Sequence, residues 1–328
     1  MKRILLIQTA WIGDVILATS VLETLHRAHP NARIDLLVRK GVESLFSDHP
    51  YLHALLIWDK QKGKYSGLFR MLLTIRQQRY DAVINLHRFG SSGLLTAFSG
   101  AGQRVGFRKN PLSRFFTRRV SHKIERTWHE IDRNHQLIEP FVSGKPARPR
   151  LYPRPQDVAH VRRDRPYICV APATIWRTKQ YPMERWAALI DRLPIGYEVL
   201  LIGGKADHAL CETIRKSTRH PQVVNLAGSF QLLESAALIA RAAMTYANDS
   251  APVHLASAMN APVALLYCST APVYGFTPLS ERHHIVESSL SLPCRPCGIH
   301  GHRACPEGHS KCAEFTVPDA ILPPALPT

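Results

Sequence analysis

No run of 18 apolar residues occurs in this chain, so it has no candidate for a membrane-spanning helix. Internal repeats and low-complexity segments are absent, which excludes solenoid and fibrous architectures. The pattern G-x-G-x-x-G is missing after the first apolar run, and so is the pattern G-x-x-x-x-G-K-[ST]. The usual dinucleotide and NTP-binding loops therefore lose their main support. The N-terminus, Met1-Lys2-Arg3 followed by Ile4-Leu5-Leu6-Ile7, begins like a signal peptide. Gln8, Trp11 and Asp14 interrupt its apolar stretch, so it reads as the first strand of a cytoplasmic protein.

Acidic residues are scarce. The 25 Asp and Glu stand against 42 Lys and Arg, a formal net charge of +17 over 328 residues. That balance points to an anionic partner: nucleic acid, a membrane surface or a phosphorylated substrate. The excess is dense in 104–150, through Arg104, Arg108, Lys109, Arg114, Arg118, Arg119, Lys123, Arg126 and Arg133, with Phe107, Phe115, Phe116 and Trp128 interleaved. No helix-turn-helix or RNA-binding signature accompanies the charge, and a solvated basic face is the plain alternative.

What is present is alternation. Short apolar runs at Arg3–Ile7, Ile34–Val38, Ala54–Trp58, Asp81–Leu86 and Arg104–Phe107 read as strands. Helical periodicity fills Val15–Ala28, Tyr65–Gln78 and Ser92–Ser99. A proline-rich, basic segment breaks the pattern, and alternation then restarts. Strands are expected at Tyr167–Ala171, Glu198–Ile202, Val223–Leu226, Ala243–Ala247 and Pro262–Tyr267. Helices are expected at Met183–Leu193, 205–217, Leu232–Ala240 and Ala251–Met259. This predicts an α/β fold of two Rossmann-like, doubly wound parallel-sheet domains, 1–150 and 167–328, joined by a linker at 151–166 and facing each other across a cleft.

Three loops follow predicted strands, where ligands bind in open α/β sheets. The first is Gln8–Asp14, whose Gly13-Asp14 opens a helix. Asp14 there is either a plain N-cap or a general base, weakly basic unless desolvated. The second, Ala171–Pro182, carries Thr174 and Lys179, a hydroxyl donor and a point charge suited to a diphosphate. The third, Ala247–Ala258, places Asp249 or Ser250 at a helix N-cap, with Ala251 and Pro252 in the first turn and His254 one turn on. It reads either as a phosphate- and ribose-gripping helix start or as a capped helix with a buried His.

The combination of Gly13-Asp14, Thr174…Lys179-Gln-Tyr-Pro and the 248–258 segment resembles glycosyltransferase family 9, the ADP-heptose:lipopolysaccharide heptosyltransferases. The likeness runs from Ile4 to about Val317. It includes Pro182-Met-Glu-Arg-Trp186, Leu201-Ile-Gly-Gly204, Asn225-Leu-Ala-Gly228 and a late cysteine cluster that looks most like the heptosyltransferase II subgroup. The resemblance implies a GT-B fold and an inverting transfer of heptose from ADP-L-glycero-D-manno-heptose to a phosphorylated lipid A–core acceptor. It implies Asp14 as general base, Lys179 as the residue that stabilises departing ADP, and Thr174, Asp249, Ser250, Ala251 and His254 as donor contacts. It also implies that no metal is required for catalysis. Arg108, Lys109, Arg114, Arg118 and Arg119 would meet acceptor phosphates or the inner face of the inner membrane, and no nucleic acid is expected. Position 251 departs from the family's Asn-Asp-Ser-Gly, which matters if that residue needs a positive φ. Ala171-Pro-Ala-Thr likewise departs from a Pro-Gly-Ala loop.

Of seven cysteines, Cys169, Cys211 and Cys268 fall within apolar or helical patterns and read as buried. Cys294, Cys297, Cys305 and Cys312, with His300, His302 and His309 nearby, have spacing suited to a structural four-thiolate zinc. Two other readings stay open: a family 9 transferase with another sugar or acceptor, and a zinc-ribbon nucleic-acid-binding protein.

Overall fold

A computed structural model describes residues 1–60, 64–124 and 128–326. Arg126 of the expected basic stretch lies outside the described residues. The chain divides into two units, Met1–Tyr152 and Pro153–Thr328.

The first unit is built on six parallel strands: β1 (Arg3–Gln8), β2 (Arg33–Arg39), β3 (Leu52–Trp58), β4 (Ala82–Asn85), β5 (Gln103–Phe107) and β6 (Arg118–Val120). Their order in the sheet is β3-β2-β1-β4-β5-β6. The centre is β1, with Ile4 aligned to Ile34 of β2 on one side and to Ala82 of β4 on the other. Its residues Ile4–Ile7 are fully buried, because helices cover both faces of a parallel sheet and demand apolar side chains on each. Helices α1 (Ile12–Ala28), α2 (Lys64–Gln78), α3 (Gly90–Ala97) and α4 (Glu130–His135) supply the crossovers and the cover.

The second unit repeats the plan with α5 (Pro155–His160), β7 (Tyr167–Ala171), α6 (Met183–Ile190), β8 (Glu198–Leu201), α7 (His208–Ser217), β9 (Val223–Asn225), α8 (Leu232–Ala240), β10 (Thr245–Asn248), α9 (Ala251–Met259), β11 (Val263–Tyr267) and β12 (His283–Glu287). Its sheet runs β12-β11-β10-β7-β8-β9, the same order as the first when each unit's strands are counted from its own start. Trp186, Tyr181 and Ile190 pack between α6 and this sheet, with Cys169, Cys211 and Cys268 buried in the unit as expected.

Three expectations change. The span 151–166 is not a bare tether: it contains α5, closed by the Arg154 N–H donating to Asp157 Oδ2 at 2.8 Å, and from Pro153 onward it belongs to the second unit. His160 Nδ1 lies 2.7 Å from Glu234 Oε1 and ties α5 to α8. The 205–217 helix begins as a 3-10 turn, Lys205–Asp207, before α7 proper. Strands β6 and β12 and helix α4 were not anticipated.

Candidate functional site

In this strand order the connection reverses direction beside the first strand of each unit, between β1 and β4 and between β7 and β10. Loops leaving neighbouring strands there diverge to opposite faces and open a crevice at the carboxyl ends. The sequence-predicted loops all lie at these two points.

At the first, β1 leads into α1, whose N-cap residue Trp11 provides no side-chain cap. Asp14 sits half-buried in the first turn. Its carboxyl is pushed up to about 6, mainly by burial and then by the negative charge of Glu130; Arg88 and the backbone N–H groups of Trp11 and Asp14 pull the other way. Arg88 follows β4. Its Nη1 lies 2.7 and 2.9 Å from the two ring nitrogens of His122. His122 Nε2 is 3.5 Å from Glu130 Oε2, and that same oxygen accepts from Arg133 Nε at 2.7 Å. Burial alone would raise Glu130, but the hydrogen bonds and charges of His122 and Arg133 overcome it and hold it below the usual carboxylate range. His87 Nδ1 lies 3.0 Å from Thr9 Oγ1, and burial, then Lys60 and Arg88, depress its imidazole to about 4. Lys60 Nζ donates to the Thr9 carbonyl at 2.8 Å.

At the second point, β7 leads into the Ala171–Pro182 loop and β10 into α9. Lys179 Nζ lies 2.7 Å from Asp249 Oδ2, with both side chains about nine-tenths buried. Thr270 Oγ1 donates to the same oxygen at 2.7 Å. Asn248, at the end of β10, accepts the Tyr181 N–H at 2.9 Å and donates to the Pro172 carbonyl at 2.6 Å, so it clamps both ends of the lysine loop. Thr174 Oγ1 is engaged within its own turn, accepting from Trp176 N–H at 3.0 Å and donating to Trp176 O at 2.8 Å. Ser250 does occupy the N-cap of α9, but its hydroxyl bonds back to Asn248 O at 3.3 Å and caps nothing. The first turn of α9 is therefore open to a ligand's oxygens rather than closed by a serine. Ala251 is the first helical residue and lies outside the positive-φ positions, so its departure from glycine carries no backbone strain. His254 is buried, edge-on to Phe276 at 6.4 Å between centroids.

The expected basic residues gather at one end of the first sheet. Arg108 and Lys109 are exposed just after β5, and Arg114 lies over the Phe115 ring at 4.8 Å. Arg118 and Arg119 lie on the edge strand β6, with Arg118 4.0 Å from Glu139. Exposed Phe98 and Phe115 pack together beside them at 5.7 Å. Arg133 does not belong to this face, being fully buried against Glu130.

Cys294, Cys297, Cys305 and Cys312 line one cavity of about 230 Å³ with Arg295, His302 and His309. Yet among the described residues no three His, Cys, Asp or Glu side chains converge closely enough to hold a metal, which corrects the expected ligand set. Cys297 Sγ donates to Cys294 O at 3.2 Å, Cys294 Sγ stands 3.8 Å from His309 Nε2, and Cys312 turns into the core. Backbone N–H groups of Ser310, Glu307 and Gly308 hold the Cys305 thiol below its ordinary value. Burial and the neighbouring thiols push Cys312 up to about 11.

The sequence reading missed Asn248 as a clamp, Thr270 as the second partner of Asp249, and the chain Arg88–His122–Glu130–Arg133. Asn248 is written in the motif itself. The others depend on loops far apart in sequence.

Two doubly wound units, each with its polar residues at the switch point, define the GT-B class of glycosyltransferase fold. The fold is also that of a solved E. coli ADP-heptose lipopolysaccharide heptosyltransferase II, at TM-score 0.78 and 24% identity over 89% of this chain and 92% of that one. The family model of glycosyltransferase family 9 (heptosyltransferase) matches residues 68–307, and the chain belongs to that family. It is 27% identical to lipopolysaccharide heptosyltransferase 3 of E. coli over 80% of this chain and 82% of the relative. It is also 27% identical to lipopolysaccharide heptosyltransferase 2 of E. coli K12, over 87% of each. Membership of an enzyme family of glycosyl transfer sets aside the zinc-ribbon nucleic-acid reading.

Proposed function

We propose that this enzyme transfers heptose from ADP-L-glycero-D-manno-heptose to a phosphorylated inner-core sugar of lipopolysaccharide, with inversion at the anomeric carbon. The observation that carries the reading is the desolvated carboxylate of Asp14, raised to about 6 on the first turn after the central strand. A carboxylate with that basicity accepts a hydroxyl proton near neutral pH far better than a solvated aspartate. Asp14 takes the proton of the acceptor hydroxyl as its oxygen attacks the anomeric carbon. The bond from that carbon to the β-phosphate oxygen breaks, and ADP leaves with the electron pair. Lys179 offsets the charge growing on the diphosphate, and the open first turn of α9 offers N–H groups to it. Asp249, Ser250, Ala251 and His254 shape the donor side, and Thr174 stiffens the loop that presents Lys179. The relatives' names, which specify lipopolysaccharide and ADP-heptose, support the donor and acceptor classes.

The enzyme would work at the cytoplasmic face of the inner membrane, with Arg108, Lys109, Arg114, Arg118 and Arg119 against anionic headgroups or acceptor phosphates. No helix among the described residues is long and apolar enough to cross a membrane.

An assay with ADP-heptose and truncated core acceptors tests the function. Replacing Asp14 by Ala should abolish transfer while sparing donor binding, and full turnover by that folded variant would remove Asp14 from the mechanism.

A further inference from the structure

The loop that follows β12 does more than carry cysteines. Its backbone is fastened onto the residues that present Lys179. Thr178 N–H donates to the His302 carbonyl at 3.1 Å, and His302 N–H donates to Thr178 Oγ1 at 2.8 Å. Ser269 Oγ donates to the same Thr178 hydroxyl at 2.9 Å. On the other side Cys297 N–H donates to Ser269 O at 2.8 Å, and Arg295 donates to Cys268 O at 2.7 Å and to Thr270 O at 3.0 Å. Thr270 in turn holds Asp249, the partner of Lys179. Residues 295–302 thus bridge the exit of β11 and the lysine turn: one set of contacts ends on Thr178, next to Lys179, and the other reaches Thr270, which bonds Asp249. Gly301 sits in the seam with φ +70°. A Cβ there would stand 2.8 Å from Thr178 Oγ1 and 3.1 Å from both Lys179 Cγ and Ser269 Oγ. A side chain there would have to displace the Thr178 hydroxyl from the seam and press on the stem of Lys179.

We propose that the 295–302 segment is the positioning element of the donor site, with Thr178 and Gly301 as positioning residues that fix Lys179 against Asp249 for a nucleoside diphosphate. This rests on the donor-site reading given above. A lysine side chain has many rotamers to lose, so a brace that fixes its stem lowers the cost of engaging a diphosphate. The role is specific to these residues: Thr178 touches no donor group in this reading, and it acts only through the turn it holds.

The test is ADP affinity by titration calorimetry on the full chain, alongside the melting temperature without ligand. Gly301→Ala and Thr178→Val should each weaken ADP binding about tenfold or more, as misplacing a charged contact by an ångström does. Thr178→Ser keeps the hydroxyl and should restore affinity to within about threefold of the parent. Should Gly301→Ala fail to fold, the Thr178 pair carries the test. Parent-like ADP affinity in Gly301→Ala and Thr178→Val would overturn the proposal while leaving the donor site standing. Equal losses in Thr178→Val and Thr178→Ser would also overturn it, because the hydroxyl would then not be what positions the turn. A parent protein that does not bind ADP at all would instead bring down the donor-site reading, and this proposal with it.

Discussion

The two switch points have the same strand order and opposite electrostatics. Between β1 and β4 a carboxylate is raised to about 6 because burial and a second carboxylate, Glu130, outweigh the pull of Arg88. Between β7 and β10 a carboxylate and an ammonium are already paired at 2.7 Å. One point stores basicity and the other stores an aimed positive charge. In the proposed reaction the same backbone plan serves a proton acceptor in one unit and an anion holder in the other. What differs is which charges the flanking loops bring in.

Breaking the first point should have the largest effect. Asp14→Asn keeps the shape and removes the basicity, so kcat should fall by about 10²–10⁴ with ADP affinity preserved. Rapid-quench turnover and ADP titration check both halves. Breaking the second point should cost less. Lys179→Met should lower kcat/KM by about 10²–10³ and weaken ADP binding as well, since the charge acts on the bound and the departing diphosphate alike. A double-substitution cycle sharpens this: if Asp249 serves to aim Lys179, Lys179→Met combined with Asp249→Asn should be little worse than Lys179→Met alone, a coupling of about 1–3 kcal/mol. Full additivity would show that the two act separately.

Most of this comparison was legible in the sequence. The α8 and α9 boundaries and the apolar strands could be read directly, because buried parallel strands and capped helices announce themselves by composition and periodicity. Asp14, Lys179 and Asp249 could be placed because each follows an apolar run. The failures share a cause. Helix α4 hides its buried face behind charge, as Glu130 and Arg133 neutralise each other inside. Strand β6 is Arg-Arg-Val and reads as a basic stretch, while β12 is an edge strand with one buried residue. Thr178, Gly301 and His302 are brought together by a loop that closes over more than 120 residues, which no local pattern encodes. The zinc spacing was legible too, but the thiols follow their own loop's hydrogen bonds instead.

The smallest expected effect is on stability. Asp14 is raised above its ordinary value, so its ionisation opposes folding: the stabilising contribution is full below about 4 and is lost as pH rises through about 6. Asp14→Asn should therefore be more stable than the parent at pH 8, by no more than about 2 kcal/mol given partial solvent contact, and the gain should vanish towards pH 4. Urea unfolding at the two pH values reads this directly.

The claim that Asp14 is a desolvated base meets its most direct test in the pH dependence of kcat/KM for ADP-heptose with a truncated core acceptor. The account predicts an acid limb with a midpoint near 6 in the parent, because Asp14 must lose its proton before it can accept one. Glu130→Gln should move that limb to lower pH. A midpoint near 4, or a limb that persists unchanged in Asp14→Asn, would contradict it.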